Sequence, residues 1–403
     1  MNRDELYVIY GRSIEQMTRE LLLAADLAAM IADRSLLVGI KPNLVDCAPA
    51  EFGSTTHREI VATVIEYLQE RGFSNIVMLE SSWVGSDTAQ SIQTCGYDRL
   101  SEKYGVPFWN MDQERGISKN CAGMEISICE KALLVDFLIN VPVLKGHCQT
   151  FMTCALKNMK GLIPPSEKRR FHRMGLHDPI GHLAAGIHQD FILVDSICGD
   201  LTSEDGGNPI WRHCMVAGLD PVLVDTYACR VVGTPQDRVC YIGIAESLGV
   251  GSADLSRAVI REKMLSMEDS SNGRIPDDRE DGWRSVSAEV SMEVPRFLRK
   301  GDQRDIVPGE GFRRVCRLSE KAEEVDSCSA CYAALIPALE NLEERGLLEK
   351  LQTKVCIGQG WRGKKGELGV GNCTAKFAHT CNGCPPSYDE MAAFLADYIL
   401  KKE

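Results

Sequence analysis

The sequence predicts an α/β protein in which a parallel-sheet, Rossmann-like core is followed by a smaller cysteine-rich α/β domain. Short apolar segments alternate with helical patterns through the first third of the chain, the order that builds a parallel sheet with right-handed crossovers. Six of the seventeen cysteines lie between positions 328 and 384, after a densely charged stretch with Gly, Pro and Ser. We therefore expect a ligand-binding core over 1–265, a linker or extended arm over 266–311 and a metal-binding domain over 312–403.

The strands of the core are predicted from short apolar runs. They fall at 6–10, 36–40 and 75–79, with helices over 13–33 and 57–71 between them. A nearly continuous apolar run at 132–139 is typical of a strand buried on both faces of a sheet, and Phe191–Ser196 has the pattern of a further strand. Open α/β sheets bind ligands at the carboxyl ends of their strands, so the residues that follow these runs are the first candidates for a site.

Composition and charge argue against several kinds of partner. A net charge of −12 does not suit a general nucleic-acid or anionic-membrane binder. The longest apolar run, 132–144, contains Asp136 and Asn140 and is too short to span a bilayer, and the start of the chain does not resemble a signal peptide. We expect a cytoplasmic protein with neither nucleic acid nor membrane as partner, whose cysteines are thiols or metal ligands rather than disulfides.

A basic segment interrupts this acidic chain. Between Lys145 and Arg173 there are seven basic residues and one acid, Glu167. Lys145 and His147 follow the buried run, and a helix predicted over 151–159 would bring Lys157 to the same face. The segment therefore predicts a pocket for a small anionic substrate, either a carboxylate or a phosphate. For residues 168–173 a solvated surface loop is the alternative.

The candidate catalytic residues are the amines and imidazoles of this segment, Lys145, His147, Lys157 and His172. The two histidines suit proton transfer near neutral pH. Polar residues at strand ends, at a helix start or within the basic segment are candidates for substrate binding: Lys41, Asn43, Thr55, His57, Glu80, Asn158, Arg169 and Asp195. Thr55 and Asp195 also suit the caps of helices and turns, so that alternative stays open.

The cysteines near the C-terminal end form two CxxC pairs with a further cysteine between them. The predicted metal ligands are Cys328, Cys331, Cys373 and Cys384, with Cys381 competing for the last place. Paired CxxC motifs are typical of metal centres, and a Cys-Pro step such as the one at Cys384 is familiar from ferredoxin loops. These features favour a [4Fe-4S] cluster over structural zinc, while reactive thiols remain a third interpretation.

The basic segment also resembles a known family. The residues that carry the resemblance are PVLKGH at 142–147, TCALKNMKGL at 153–162, Lys168 and His172, together with KPN at 41–43 and GLDPVLVD at 218–225. This pattern, over 36–235, resembles the bacterial and archaeal family called domain of unknown function 362. Members of that family often carry iron–sulfur motifs, which supports the cluster interpretation, although this chain lacks the C-x2-C-x2-C-x3-C run. More loosely, the α/β half looks like the N-terminal domain of nickel-pincer lactate racemases.

Three functions are compatible with these patterns. The leading hypothesis is an iron–sulfur-dependent redox enzyme acting on a small anionic substrate, with a redox partner protein as a source of electrons. The second is an isomerase, racemase or lyase of a carboxylate with a structural zinc site, and the third is an electron carrier or binding protein without turnover. Neither a GxGxxG fingerprint in the right context nor a Walker A sequence supports a nucleotide cofactor.

Overall fold

A computed structural model describes residues 1–265, 282–286 and 309–402. Its strands are β1 (Glu5–Tyr10), β2 (Val38–Lys41), β3 (Ile76–Glu80), β4 (Phe108–Asn110), β5 (Gly116–Cys121), β6 (Met124–Cys129), β7 (Phe137–Asn140), β8 (Lys145–His147), β9 (Phe151–Thr153), β10 (Phe191–Ser196), β11 (Cys214–Gly218), β12 (Val259–Met264), β13 (Arg284–Val286), β14 (Ala322–Glu324), β15 (Val355–Ile357), β16 (Leu368–Val370) and β17 (His379–Cys381). Its helices are α1 (Ile14–Ala25), α2 (Leu27–Met30), α3 (Arg58–Glu70), α4 (Thr88–Thr94), α5 (Tyr97–Tyr104), α6 (Ala155–Asn158), α7 (Pro165–Met174), α8 (His177–Gly186), α9 (Pro221–Val232), α10 (Cys240–Ser247), α11 (Glu310–Ser319), α12 (Ser329–Glu344) and α13 (Tyr388–Lys402). Within these ranges, none of the helices has the length and apolar content needed to cross a membrane.

The main sheet has nine strands in the order β13, β12, β1, β11, β10, β7, β2, β3, β4. The run from β10 to β4 is parallel throughout, whereas β11 is antiparallel to both of its neighbours. Strands β2, β3 and β7 are buried along their whole length, as expected for apolar strands with both faces covered. The protein is therefore α/β with a largely parallel core sheet, which confirms the predicted fold class.

The predicted strands at 6–10, 36–40, 75–79 and 191–196 correspond to β1, β2, β3 and β10. The apolar run at 132–139 supplies only part of β7, because residues Glu130–Leu134 form a 3-10 turn before that strand. The helix predicted over 13–33 is divided at Asp26, whose φ of 52° is left-handed and ends α1. Strand positions were thus easier to predict than the breaks inside apolar segments.

The helix predicted over 151–159 is wrong for its first part. Strands β8 and β9 form an antiparallel hairpin in which Lys145 lies opposite Thr153, and only α6 follows as a short helix. Phe151 has a φ of 62°. The Asp225 carboxylate accepts hydrogen bonds from the backbone N–H groups of Ala155 and Leu156, at 2.7 and 3.2 Å. The start of α6 is therefore fixed by a residue distant in sequence, which satisfies two N–H groups that have no partner within the helix.

A second sheet has the order β14, β15, β16, β17, and all of its strands are parallel. Its apolar core includes Leu335 and Leu339 of α12, Val355 of β15 and Leu395 of α13. Cys148, at the turn of the β8–β9 hairpin, belongs to the same cluster of buried side chains. The second sheet and its helices therefore pack directly on the β8–β9 hairpin, which begins at Lys145.

Two further contacts hold this arrangement. The rings of Phe151 on β9 and Phe312 on α11 meet edge to face, with centroids 5.1 Å apart. Gly311 lies so close to the backbone of Leu201 that an added Cβ would be 2.1 Å from its carbonyl oxygen. Of the predicted linker at 266–311, the described residues are 282–286 and 309–311, and β13 pairs with β12 at the edge of the main sheet.

Candidate active site

A pocket with a cavity volume of about 130 Å³ lies beyond the carboxyl ends of β2 and β3. A cavity needs only about 10–15 Å³ to hold one water, so this one has room for several waters or for a small organic ligand. Seven of the candidate site residues line it: Asn43, Glu80, Lys145, His147, Lys157, Asn158 and His172. The basic segment and the strand ends that were predicted to share a site therefore meet in one cavity.

Lys145 is buried, and its amine holds two loops together. The Nζ atom donates to the backbone carbonyl oxygens of Ser54 at 2.6 Å and Glu204 at 2.8 Å. Burial lowers the pKa of Lys145, and the nearby carboxylates, led by Asp46, act in the opposite direction. Lys145 is thus both a cationic part of the wall and an anchor for the loop that carries Glu204.

Lys157 and Lys160 are only partly buried and extend from α6 and the turn after it. Lys157 donates to the hydroxyl of Thr153 at 2.9 Å. Among the described residues neither lysine has a carboxylate within ion-pair distance. Burial lowers the pKa of Lys157 to about 7, and burial together with the charges of Lys157 and Lys168 lowers the pKa of Lys160. These two amines are the cations most available to a ligand.

His147 has a defined tautomer because its Nδ1 atom accepts hydrogen bonds from two backbone N–H groups. The donors are Gln149 at 3.1 Å and Thr150 at 3.2 Å. A neutral imidazole that accepts at Nδ1 carries its hydrogen on Nε2. Burial, reinforced by the positive charges around it, lowers the pKa of His147 far enough to keep it neutral near pH 7. His147 therefore offers an N–H donor at Nε2, 3.6 Å from a carboxylate oxygen of Glu204.

Cys148 and Glu204 complete a small polar group beside His147. Glu204 accepts hydrogen bonds from the Cys148 backbone N–H at 2.9 Å and from its thiol at 2.8 Å. The ligand atoms of His147, Cys148 and Glu204 lie within 4.8 Å of one another, close enough for a metal ion. However, the Nε2 atom that faces Glu204 carries a hydrogen as long as Nδ1 accepts its two backbone donors. As built, this group suits hydrogen bonding better than metal binding.

The remaining basic candidates differ in exposure. His172 on α7 lines the pocket, and burial together with the charges of Lys160, Lys157 and Lys168 lowers its pKa to about 2, so it is neutral. Arg169 on the same helix is exposed and does not line the cavity. Lys168 is buried instead, and its amine donates to the Ser81 hydroxyl at 2.6 Å and the Ser81 carbonyl at 3.0 Å. The alternative of a solvated surface loop at 168–173 is thus wrong, because these residues form part of a helix with one face directed inward.

A second layer of polar residues supports the pocket wall. Lys41 and Glu80, on adjacent strands, form a buried ion pair at 2.6 Å. The Asn43 amide donates to Asn158 at 2.8 Å, and Asn158 donates to Asn140 at 2.7 Å. Lys41 therefore acts through Glu80. The hydrogen bonds of Asn158 connect α6 to Asn43, which follows β2, and to Asn140 at the end of β7.

Besides Lys41 and Arg169, three more candidates for substrate binding lie outside the cavity. The Asp195 carboxylate accepts from both the backbone N–H and the Nδ1 of His57, each at 2.8 Å. Burial alone would lower the pKa of His57, but the charge of Asp195 and its hydrogen bond outweigh it and raise the pKa to about 11. The Thr55 hydroxyl donates to the Ala48 carbonyl at 2.8 Å. These residues form a buried polar network behind the site.

The cysteine-rich turn begins at Cys328, the N-cap residue of α12, with Cys331 in the first helical turn. Burial, then the thiols of Cys328, Cys384 and Cys373, raises the pKa of Cys331 to about 12, which places these four sulfurs in one electrostatic neighbourhood. The Cys328 sulfur accepts a hydrogen bond from Gln359 at 3.3 Å. A metal would displace the thiol protons, and a donor to sulfur is a usual accompaniment of metal thiolates.

The loops that carry Cys373 and Cys384 are tied together through Asn372. Its backbone N–H donates to the Gly383 carbonyl at 2.8 Å, and its side chain accepts from the Gly383 N–H at 2.9 Å. Cys381 lies at the end of β17, with its side chain in the apolar core of the second sheet. Its pKa is raised by burial and by Glu390, not by the other thiols. The geometry therefore sets Cys381 apart from Cys328, Cys331, Cys373 and Cys384.

The cysteine-rich turn adjoins the pocket. Ala330 and Ala333, in the first turns of α12, line the same cavity as Lys145, His147 and Lys157. Lys160, Lys168, Glu204 and Asp205 also line it, although none of them was among the candidate site residues from sequence. Lys160 and Lys168 belong to the basic segment, which was the signal for them. Glu204 and Asp205 lie in an irregular loop, and no sequence pattern marked them.

The fold and the site together define an α/β protein with a lysine-rich pocket beside a set of four cysteines. Residues 38–230, just under half of the chain, match the family model described as Domain of unknown function (DUF362). The match confirms the resemblance that the lysine and glycine motifs indicated.

Two individual proteins are similar to this chain. A thylakoid-associated protein of Synechocystis is 27% identical over 208 residues, which cover 50% of this chain and 62% of that protein. The lactate racemase apoprotein from Thermoanaerobacterium thermosaccharolyticum shares 14% identity at a TM-score of 0.40, over 56% of this chain and 57% of that chain. A structural likeness at this level carries no argument about function.

Proposed function

We propose that the protein is an iron–sulfur-dependent oxidoreductase that acts on a small anionic substrate bound at the carboxyl edge of the main sheet. The observation that carries the proposal is the shared cavity. Ala330 lies between Cys328 and Cys331 in sequence, and it lines the pocket together with the basic residues Lys145 and Lys157. A cofactor held by these cysteines would therefore sit beside the bound substrate.

The spacing of the cysteines is wider than that of a preformed tetrahedral zinc site and suits a [4Fe-4S] cluster. A tetrahedral zinc with Zn–S bonds of about 2.3 Å draws its sulfurs to roughly 3.8 Å from one another. Within the described part of the chain, no three of these thiols lie within 4.8 Å of each other. A [4Fe-4S] cluster binds its thiolates at separate iron atoms and needs the wider spacing. Cys328, Cys331, Cys373 and Cys384 are the residues that would hold it.

The pocket residues have distinct roles in this proposal. When bound, the cluster would supply single electrons or a Lewis-acidic iron next to the substrate. Lys157 and Lys160 bind the anionic group of the substrate, and Lys145 holds the loop that closes the wall. His147 donates a hydrogen bond from Nε2 to the substrate, and Glu204 lies where it can receive that hydrogen bond when no substrate is present. Ala330 and Ala333 cover the side of the pocket that faces the cysteines and limit the access of water there.

We propose three further features of the protein: a source of electrons, a cellular compartment and a division into domains. Turnover would require electrons from a redox partner protein or a small reductant. All seventeen cysteines are free in the structure, which suits a reducing compartment such as the cytoplasm. We also propose that 1–265 and 312–403 are separate domains joined by 266–311.

Metal and sulfide analysis of anaerobically purified protein tests the proposal directly. We expect iron and acid-labile sulfide, with visible absorption that bleaches on reduction by dithionite. Cys331→Ser should lose most of the iron, whereas Cys381→Ser, the matched control in the same region, should retain it. Colourless protein that holds one zinc per chain would contradict the proposal and favour the isomerase, racemase or lyase alternative.

A further inference from the structure

Among the described residues, not every lysine that lines the pocket has a carboxylate within ion-pair distance. Four lysines line it, Lys145, Lys157, Lys160 and Lys168, against the two carboxylates of Glu204 and Asp205. Glu80 also lines the cavity, but its charge is already matched by Lys41 at 2.6 Å. Lys168 also has an Asp112 carboxylate oxygen at 3.9 Å, and Asp46 is the leading carboxylate near Lys145. Positive charge in excess of such partners is costly in a largely buried space, and the cost is relieved when the amine loses its proton or when an anion binds.

The hydrogen bonds show which two lysines carry this excess. Lys145 and Lys168 are held against the wall by carbonyl and hydroxyl oxygens, Lys145 by Ser54 and Glu204, and Lys168 by Ser81. Lys157 makes one hydrogen bond, to Thr153, and Lys160 makes none with another described residue. Both amines are partly exposed to the cavity, so they have free donors for a ligand.

One part of the lining of the same pocket is apolar. Val45, Trp83 and Val84 line it, and the Trp83 side chain is 38% exposed. The Trp83 backbone N–H donates to the Val45 carbonyl at 3.0 Å, which fixes the two residues side by side. A Cβ on Gly85 would lie 2.0 Å from the indole ring, so a glycine is required for the ring to take this position. An exposed aromatic face beside a cationic pocket suits a ligand with an apolar part.

We propose that the pocket binds a dianion, a phosphate monoester or a dicarboxylate, whose two negative charges meet Lys157 and Lys160 and whose apolar portion packs on Trp83. This inference rests on the proposed function, because it names the class of substrate for the same site. It adds that a monoanion such as a simple monocarboxylate is a poor ligand. It also assigns Lys160 as a binding residue and Trp83 as a specificity residue.

The test is a calorimetric titration of anaerobically purified protein with four probes. Phenyl phosphate and phenylsuccinate are dianions with an aromatic ring, benzoate is the matching monoanion, and inorganic phosphate lacks the ring. We expect at least one aromatic dianion to bind about tenfold or more tightly than benzoate, the effect of one added charged hydrogen bond. The tighter of phenyl phosphate and phenylsuccinate identifies the headgroup. Equal affinity for benzoate, or no binding of either aromatic dianion, would overturn the proposal.

Three variants assign the residues. Lys160→Met should weaken the preferred dianion about tenfold or more and leave benzoate almost unchanged. Trp83→Ala should weaken the aromatic dianion more than inorganic phosphate. Lys103→Met, which removes an exposed lysine outside the cavity, should change neither. If Lys160→Met and Lys103→Met bind the dianion equally, the assignment of Lys160 is wrong. The comparison of the four probes uses the native protein, so its result does not depend on whether any variant folds.

These outcomes separate the inference from the proposed function. Protein that prefers dianions but contains no iron would refute the iron–sulfur proposal and leave the dianion site standing. Protein with a reducible cluster and no preference for dianions would refute only the present inference.

Discussion

Lys157 illustrates how burial prepares a side chain for its task. Its amine is partly buried beside Lys145, with a single neutral partner in Thr153. Because burial lowers its pKa to about 7, the amine loses its positive charge in a pH range where an ordinary lysine stays charged. A bound anion favours the charged form, so ligand binding and proton uptake at this residue should be linked.

We expect the affinity for an aromatic dicarboxylate to fall as the pH rises through about 7. The charged form of Lys157 binds the anion, and the neutral form that dominates above its pKa does not. Titrations from about pH 6 to about pH 9 should show this loss, with a further step from Lys168, whose pKa burial lowers to about 8. Lys157→Met should bind more weakly at low pH and lack the first step. An unchanged pH profile in that variant would show that another group controls binding.

The sequence predicted which segment lines the pocket better than it predicted which way each side chain of that segment faces. Lys145, His147, Lys157 and His172 all line the cavity because they belong to one short segment wrapped around one strand end. Arg169 is exposed and Lys168 is buried, a difference set by the face that α7 turns inward. That orientation depends on the turn before the helix, which residue type and spacing do not determine.

At the scale of elements, the turn after α6 packs against the ends of β2 and β3, and this packing depends on a glycine that allows a close approach. The motif glycine Gly161 lies against the buried pair of Lys41 and Glu80, and a Cβ there would be 1.5 Å from a Glu80 carboxylate oxygen. The Ser81 hydroxyl also donates to the Gly161 carbonyl at 2.8 Å. This explains the glycine of the LKNMKG sequence in physical terms, because only a residue without a side chain leaves the ion pair intact.

Gly161→Ala should destabilise the protein by about 2–3 kcal/mol, because the methyl group must displace a buried ion pair or shift the turn. The matched control is Gly243→Ala in α10, where an added Cβ has no neighbour within 4 Å. That change should stabilise by about 0.5–1 kcal/mol through helix propensity and reduced freedom of the unfolded chain. Urea denaturation followed by circular dichroism measures both. Similar effects of the two substitutions would contradict the close contact at Gly161.

Local pattern predicted the core strands but not the β8–β9 hairpin. Strands β2, β3 and β10 are apolar because they are buried, and burial leaves a mark on composition. The segment at 151–154 was predicted as helix because its spacing suits one, yet its course is set by Phe151 in a left-handed conformation and by Cys148 packed in the second core. Such tertiary constraints have no counterpart in local sequence.

At the scale of the whole molecule, two regions more than 150 residues apart in sequence line one cavity. The contact depends on the hairpin, where Cys148 packs in the core of the second sheet and Phe151 meets Phe312. The CxxC spacing predicted a metal site, and the basic segment predicted an anion site. Their adjacency could not be read from either pattern, since it is a property of how the two sheets pack.

Because the two regions adjoin, we expect the charge of a bound ligand to change the reduction potential of the proposed cluster. If the proposed cluster is present, saturating dianion should shift its reduction potential to a more negative value, because two negative charges nearby oppose the gain of an electron. By linkage, reduction should weaken dianion binding by the same factor. Potentiometric titrations with and without phenyl phosphate measure the shift. Benzoate should cause a smaller one, and Lys160→Met should need a higher concentration of phenyl phosphate to reach the full shift. An unchanged potential at saturating dianion would mean that Ala330 and Ala333 separate two independent sites instead of joining them.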